Sequence, residues 1–273
     1  ATAIDRGQWQ AQGSLLGTWS ADYQQHTSHH RTAQYQRWTP ALFLRWSPTH
    51  QLSAHSFAKR SFRLPTFNDL YYTDMGNSKL RPESVTQYDL GIQYDRRLEG
   101  SSLTITTDIY HHIAYPKGQQ FRWTMLNLGR VEINGLDFQV KGETSLQDFA
   151  VGFNAQYTCQ QAIDVTSSQD YYYRDQIPYV PVHSGSASAH IGYKERFSVA
   201  YSFTYVGQRY CQQENTSYNH LQPWYTSDIN LQYRQGNYRF VAEVLNLLNQ
   251  QYDVIINYPM PGRNFRVSVC LSL

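Results

Sequence analysis

Few groups of residues in this chain carry side chains able to do chemistry. His26, His29 and His30 fall in one polar stretch from Gln24 to Gln36. Imidazoles at positions 26 and 30 could share a metal ion or a haem iron, but a solvated loop explains the stretch more simply and is the favoured reading. Tyr171, Tyr172, Tyr173 and Tyr179 could stack on the face of a flat ligand. Aromatics at a membrane–water interface would look the same and are the preferred expectation, and Trp123 and Trp224 share the ambiguity. Cys159, Cys211 and Cys270 fit no metal-binding spacing, and the strands next to Cys159 and Cys211 are not neighbours, which argues against a disulfide. Asp108 sits on the polar face of a strand, where a solvated carboxylate is the simple reading. No Ser-His-acid spacing emerges. No residue is therefore assigned to catalysis, to a cofactor or to a metal, and the chain is not expected to be an enzyme. A hydrolase carried on the same sheet is the enzymatic alternative.

The elements that hold these residues are strands. Phe265, Val267, Val269, Leu271 and Leu273 alternate with Arg266, Ser268, Cys270 and Ser272, a period of two with one apolar and one polar face. The same pattern runs through Trp9 to Tyr23, Leu42 to Trp46, Leu52 to Ala58, Gln87 to Asp95 and Leu103 to Tyr110. It returns in Val131 to Lys141, where a one-residue change of phase at Asn134-Gly135 predicts a bulge. Five more segments follow: Phe149 to Thr158, Ser184 to Tyr193, Phe197 to Arg209, Ser227 to Tyr233 and Tyr238 to Leu245. That makes about twelve antiparallel strands with no helix of useful length and no domain boundary, so residues 1–273 are read as one unit. Short turns and long connections alternate, which puts short turns on one rim and long loops on the other, with both chain ends expected on the short-turn rim.

Composition narrows the environment. The 273 residues carry a formal net charge of +2, too little to predict nucleic-acid binding. Mean hydropathy is −0.60 and no apolar run is long enough for a helical span. Alternating strands hide their apolar face in such averages, so a membrane barrel stays open. The polar face would hold Gln10, Gln12, Asp89, Gln93, Asp95, Asp137 and many like them, a costly core for a soluble sandwich. Many strands have nine or more residues, the length of a tilted membrane span rather than of a sandwich strand. A transmembrane β-barrel is the favoured class and a soluble all-β binding protein the alternative.

Several stretches resemble the barrel of TonB-dependent outer-membrane receptors. Ser61-Phe-Arg-Leu-Pro-Thr-Phe-Asn-Asp-Leu-Tyr71 is similar to the family's Phe-Arg-Ala-Pro-Thr run. Gly76-Asn-Ser-Lys-Leu-Arg-Pro-Glu83 and Thr86 to Tyr94 are similar to its Gly-Asn-Pro-x-Leu-x-Pro-Glu run and the acidic-Leu-Gly strand after it. Asn127 to Gly135, Ile177-Pro-Tyr-Val-Pro-Val-His183, and Asn246 to Tyr252 with Pro261-Gly-Arg263 resemble three further passages in the same order. The departures are Leu64 for Ala, Ser78 for Pro, and a final Leu273 where such barrels usually end in Phe.

The resemblance implies an all-β antiparallel transmembrane β-barrel, with this chain as the C-terminal portion of one of about twenty-two strands. It implies a place in the bacterial outer membrane and TonB-dependent active uptake of a scarce small-molecule ligand of siderophore, cobalamin or glycan type. This chain would supply wall and extracellular loops. The plug and its TonB-contact segment are expected to be absent from it. The expected partners are the missing N-terminal barrel strands and plug of the same receptor, TonB acting through that plug, and outer-membrane lipid, with no nucleic acid. Haem receptors of this kind are expected to carry a histidine between the first two runs; none lies between Phe62 and Leu80, which argues against haem. A TonB-independent, porin-like barrel is the functional alternative.

Overall fold

Sustained two-residue alternation becomes strand because successive side chains leave on opposite faces and only one face here is apolar. The computed structural model describes residues 1–26, 29–71, 77, 80–115, 117–119, 125–127 and 129–272, with side chains outside the description at 22–26, 29–34, 71, 117–119 and 125–127. The chain begins with β1 (Thr2–Arg6), β2 (Trp9–His26), β3 (His29–Trp46) and β4 (Leu52–Arg63). After the short helix α1 (Phe67–Tyr71) come β5 (Glu83–Leu98) and β6 (Ser101–Tyr115). β7 (Lys117–Gln119) and β8 (Met125–Asn127) form a small ribbon within a connection. β9 (Val131–Leu146), β10 (Phe149–Asp164), β11 (His183–Tyr193) and β12 (Phe197–Val206) follow. β13 (Arg209–Tyr210) and β14 (His220–Leu221) make a second ribbon before β15 (Trp224–Gln235) and β16 (Tyr238–Leu245). β17 (Asp253–Ile255) and β18 (Tyr258–Pro259) make a third, and β19 (Asn264–Leu271) ends the fold.

Thirteen strands form one wall in the order β1-β2-β3-β4-β5-β6-β9-β10-β11-β12-β15-β16-β19, each antiparallel to its neighbours. Its ends are β1 and β19, which do not pair with each other. Tight turns join strands on one rim: Gly7, Gly100 and Gly236 take positive φ there, a backbone state open to glycine at little cost. Longer connections leave the other rim. In one of them Thr66 and Asp69 cap α1 reciprocally, Thr66 Oγ1 accepting from the Asp69 N–H and Asp69 Oδ2 from the Thr66 N–H.

Three expectations change. The wall has thirteen strands, because Thr2–Arg6 pairs with Arg6↔Trp9 through Thr2↔Gly13. Five exposed residues are too few to show a period. The N-terminal end therefore lies beside Gly13 and not on the short-turn rim. The polar stretch from Gln24 to Gln36 is no open loop in its described part: β2 and β3 remain in register up to His26↔His29. Backbone pairing there does not need the apolar face that made strands visible in the sequence. Nor is there a bulge at Asn134-Gly135. β9 pairs with β6 and β10 without a register shift, so Val131 and Ile133 lie on the polar face. They are apolar because Ile177 and Val180 from a connection pack over them, together with Val85, Ala114 and Ala162.

That small cluster holds half of the buried apolar residues among those described, which are only Leu80, Tyr110, Ala114, Val131, Ala162 and Ile163. The apolar face of the wall is exposed instead, with Leu90 at 59% and Val267 at 78%. A soluble sandwich would cover these residues with a second sheet. Aromatic contacts band the exposed face at two heights. Near the short turns Trp9 stacks on Trp46, Phe149 meets Tyr193, and Phe197 stacks on Tyr233 at 4.5 Å. Toward the loops Trp19 meets Trp38 edge-on and Phe203 meets Tyr225. From Trp9 to Trp19 a strand climbs roughly 34 Å at about 3.4 Å per residue, or about 25 Å of membrane normal at a tilt of about 45°. That is the height of the apolar band between the aromatic girdles of a membrane barrel.

Candidate functional site

The polar face is organised in cross-strand rows. Asp95 Oδ1 accepts from Thr104 Oγ1 at 2.7 Å and Asp137 Oδ1 from Thr158 Oγ1 at 2.6 Å. Gln139 Nε2 donates to Asn154 Oδ1 at 3.1 Å. Near the β19 edge, Glu243 accepts from Asn230 Nδ2 and from Arg266 Nε, its ion-pair partner. Each bond joins adjacent strands, so the rows brace the wall as well as making it hydrophilic.

One cluster of ionisable side chains lacks this internal satisfaction. His55 on β4, Asp89 on β5 and Asp108 on β6 bring one nitrogen and two carboxylate oxygens within 4.8 Å of one another. His55 Nε2 lies 3.0 Å from Asp108 Oδ1 and 3.7 Å from Asp89 Oδ1. Both oxygens are sealed from solvent, and neither receives a well-directed hydrogen bond from any described residue. Gly91 makes the meeting possible: it is the register partner of both His55 and Asp108, and a Cβ there would stand 1.8 Å from Asp108 Oδ1. In the sequence Asp108 reads as a solvated carboxylate because its two partners are remote; strand register alone unites them.

At the loop rim, three connections are tied into one body. Gln176, 7% exposed, accepts from the Ala162 N–H and donates to the Val180 carbonyl. Its own N–H donates to Asn215 Oδ1 at 2.7 Å, and Asn215 Nδ2 donates back to the Gln176 carbonyl. Arg209, 3% exposed, donates to the carbonyls of Gln222, Asp253 and Val254, so it links the second of these connections to the third. Burial works against its charge and lowers its pKa, and the three carbonyls stand in for lost water. In the third connection Asn246 Oδ1 accepts from the Gln250 N–H, and Arg263 Nε donates to the Leu247 carbonyl. Asn246 and Asn249 both take positive φ, which asparagine tolerates better than most residues.

The tyrosines divide on this framework. Tyr171 and Tyr173 project from successive turns at 167–175 beyond the end of β10, with Tyr171 85% exposed, so they are not part of the girdles on the wall. Tyr218, on the neighbouring connection, is 96% exposed. Tyr179 is half-buried and its hydroxyl pKa is raised, chiefly by burial. Trp224 pairs with Val206 on the polar face and stacks on Tyr252 at 4.4 Å, so it is not a girdle residue either. Trp123 and the side chains of His26, His29 and His30 lie outside the described residues. Cys159, Cys211 and Cys270 are free thiols.

A wall with an exposed apolar band, a hydrophilic opposite face and long connections on a single rim is the architecture of an outer-membrane barrel. Residues 6–247 match the family model described as TonB dependent receptor-like, beta-barrel, and the chain belongs to that family. It is 24% identical over 230 residues to a protein named vitamin B12 transporter BtuB from Photobacterium profundum, covering 80% of this chain and 35% of that one. The unliganded ferric citrate transporter FecA superposes with a TM-score of 0.74 at 16% identity, over 98% of this chain and 43% of FecA. The siderophore receptor PiuA from Acinetobacter baumannii gives 0.72 at 18% identity, over 97% and 41%. The chain thus spans about a third of the length of the B12 transporter it matches and forms a partial barrel.

Proposed function

We propose that this chain supplies wall and external loops to an outer-membrane receptor that takes up a scarce, bulky ligand by TonB-dependent active transport. The observation that carries this reading is the girdled wall, whose apolar band matches a bilayer while its other face is polar throughout. The outer edges of β1 and β19, which pair with no other strand among the described residues, support the choice of partners. Hydrocarbon offers nothing to the free N–H and C=O groups of a strand edge, so both edges pair with further strands, which we assign to the N-terminal barrel strands and plug of the same receptor. TonB acts through that plug. The three tied connections support capture, because a rigid rim presents Tyr171 and Tyr218 at little entropic cost. The likeness to a B12 transporter favours a corrinoid over a siderophore or a glycan.

The test is accumulation of labelled cyanocobalamin by cells carrying the receptor, with and without TonB. Accumulation should require TonB, and Tyr171→Ala with Tyr218→Ala should weaken surface binding about tenfold, the loss of ~1.4 kcal/mol of stacking. Accumulation that persists without TonB overturns active uptake in favour of a porin-like barrel. Binding of a ferric siderophore and not of cobalamin would overturn the ligand class alone.

A further inference from the structure

We propose that His55, Asp89 and Asp108 form a binding site for one small divalent transition-metal cation of the zinc type on the polar face of β4, β5 and β6. Four ligands around zinc at about 2.1 Å lie about 3.4 Å from one another. The 3.0 and 3.7 Å separations from His55 Nε2 to the two carboxylate oxygens bracket that value. The charge also fits, since two carboxylates and a neutral imidazole leave two negative charges for a divalent ion to neutralise. An imidazole donor favours zinc, cobalt or iron over calcium and magnesium, which take oxygen ligands.

The second observation is the state of the oxygens. The Asp89 side chain is 10% exposed, yet its Oδ1, like that of Asp108, receives no well-directed hydrogen bond from any described residue. Buried carboxylate oxygens are ordinarily bonded, and an unbonded pair turned toward one histidine is a costly arrangement without a cation. Lys59, on the same face of β4, holds its Nζ over the Phe57 ring at 5.2 Å and donates a hydrogen bond to neither oxygen. Gly91 opens the cradle at its centre, and its missing Cβ leaves the space in which Asp108 and His55 meet. Three protein ligands leave a fourth position for water or for a group from whatever fills the barrel.

The experiment uses the detergent-purified protein, stripped with a chelator and titrated with Co2+ and then with Zn2+. We expect one ion per protein, visible absorption bands of tetrahedral Co2+, and displacement of cobalt by zinc. His55→Gln and Asp108→Asn should each weaken affinity at least about 100-fold, since even residues that merely support a ligand account for roughly 10–100-fold. Gly91→Ala should do the same by displacing Asp108. Asp137→Asn, which alters the register partner of Asp108 outside the trio, should keep the site. Far-UV circular dichroism checks that each variant retains its sheet. Absence of saturable, stoichiometric Co2+ binding to the unaltered protein overturns the proposal whatever the variants do, and so does equal affinity in a folded His55→Gln protein.

Discussion

Glu243 and Arg266 face each other across β16 and β19, and Asn230 completes their set. Asp89 and Asp108 share β5 and β6 with a single histidine from β4. Both groups are ionisable and both lie on the polar face of the same wall. In the first, each acidic oxygen has a donor and Arg266 remains largely open to solvent. In the second, acid exceeds base and the free oxygens are shut away from water. A polar face can thus contain two kinds of row: one that satisfies itself and braces neighbouring strands, and one that is complete only when something is added. Saturation of hydrogen bonds, more than the presence of charge, separates the two.

The sharpest way to test this contrast is to leave the polar face altogether. Leu90 neighbours Asp89 on β5 and points the other way, 59% exposed between Ser56 and Ile109. If the apolar face meets hydrocarbon, Leu90→Lys should destabilise the folded barrel in lipid vesicles by about 2–4 kcal/mol, read from urea unfolding. A loss near zero would mean that this face is wet, and the distinction between the two faces would fail.

The wall was legible in the sequence because its signal is local. Each of the twelve expected segments repeats over a few residues, and the pattern from Phe265 to Leu271 was visible with no knowledge of its partner. Thr2–Arg6 was missed because so short a strand has no room for periodicity. At Val131 and Ile133 the apolar pattern truly changes face, since a loop covers them where lipid does not reach; a bulge was the wrong physical cause. The trio was invisible for a different reason. His55, Asp89 and Asp108 are joined by the registers His55↔Gly91 and Gly91↔Asp108, and register is a tertiary property. The useful hint was a glycine within an otherwise regular strand, which marks a close approach by something else. Tyr171 and Tyr173 show the remaining limit, for composition flags an aromatic run without saying whether wall or loop will hold it.

Removing one charge from the unsatisfied group should have an unusual sign. Asp89→Asn takes a buried carboxylate whose Oδ1 is unbonded and replaces it with a neutral amide of the same shape. In metal-free protein this should raise stability by on the order of 1 kcal/mol, because the desolvation cost of the charge disappears. With saturating Zn2+ the order should reverse, since binding stabilises only the protein that retains the ligand set. Paired urea titrations with and without zinc measure both. A loss of stability in the metal-free variant would show that Asp89 already has its partner, and the two rows would then be alike.

The smallest effect belongs to the satisfied row. Glu243→Gln keeps an acceptor for Asn230 and a polar partner for Arg266 but removes one charge from a pair whose arginine is 60% exposed. Water and salt already screen such pairs, so the expected change is a slight loss of stability that fades as salt is raised. Zinc should alter neither the loss nor its salt dependence, because this row has no vacant donor set. A zinc-dependent change at Glu243 would show that the metal acts on the wall generally and not at β4, β5 and β6, whereas a salt-insensitive loss would mean that this pair is sealed from solvent much as Asp89 is.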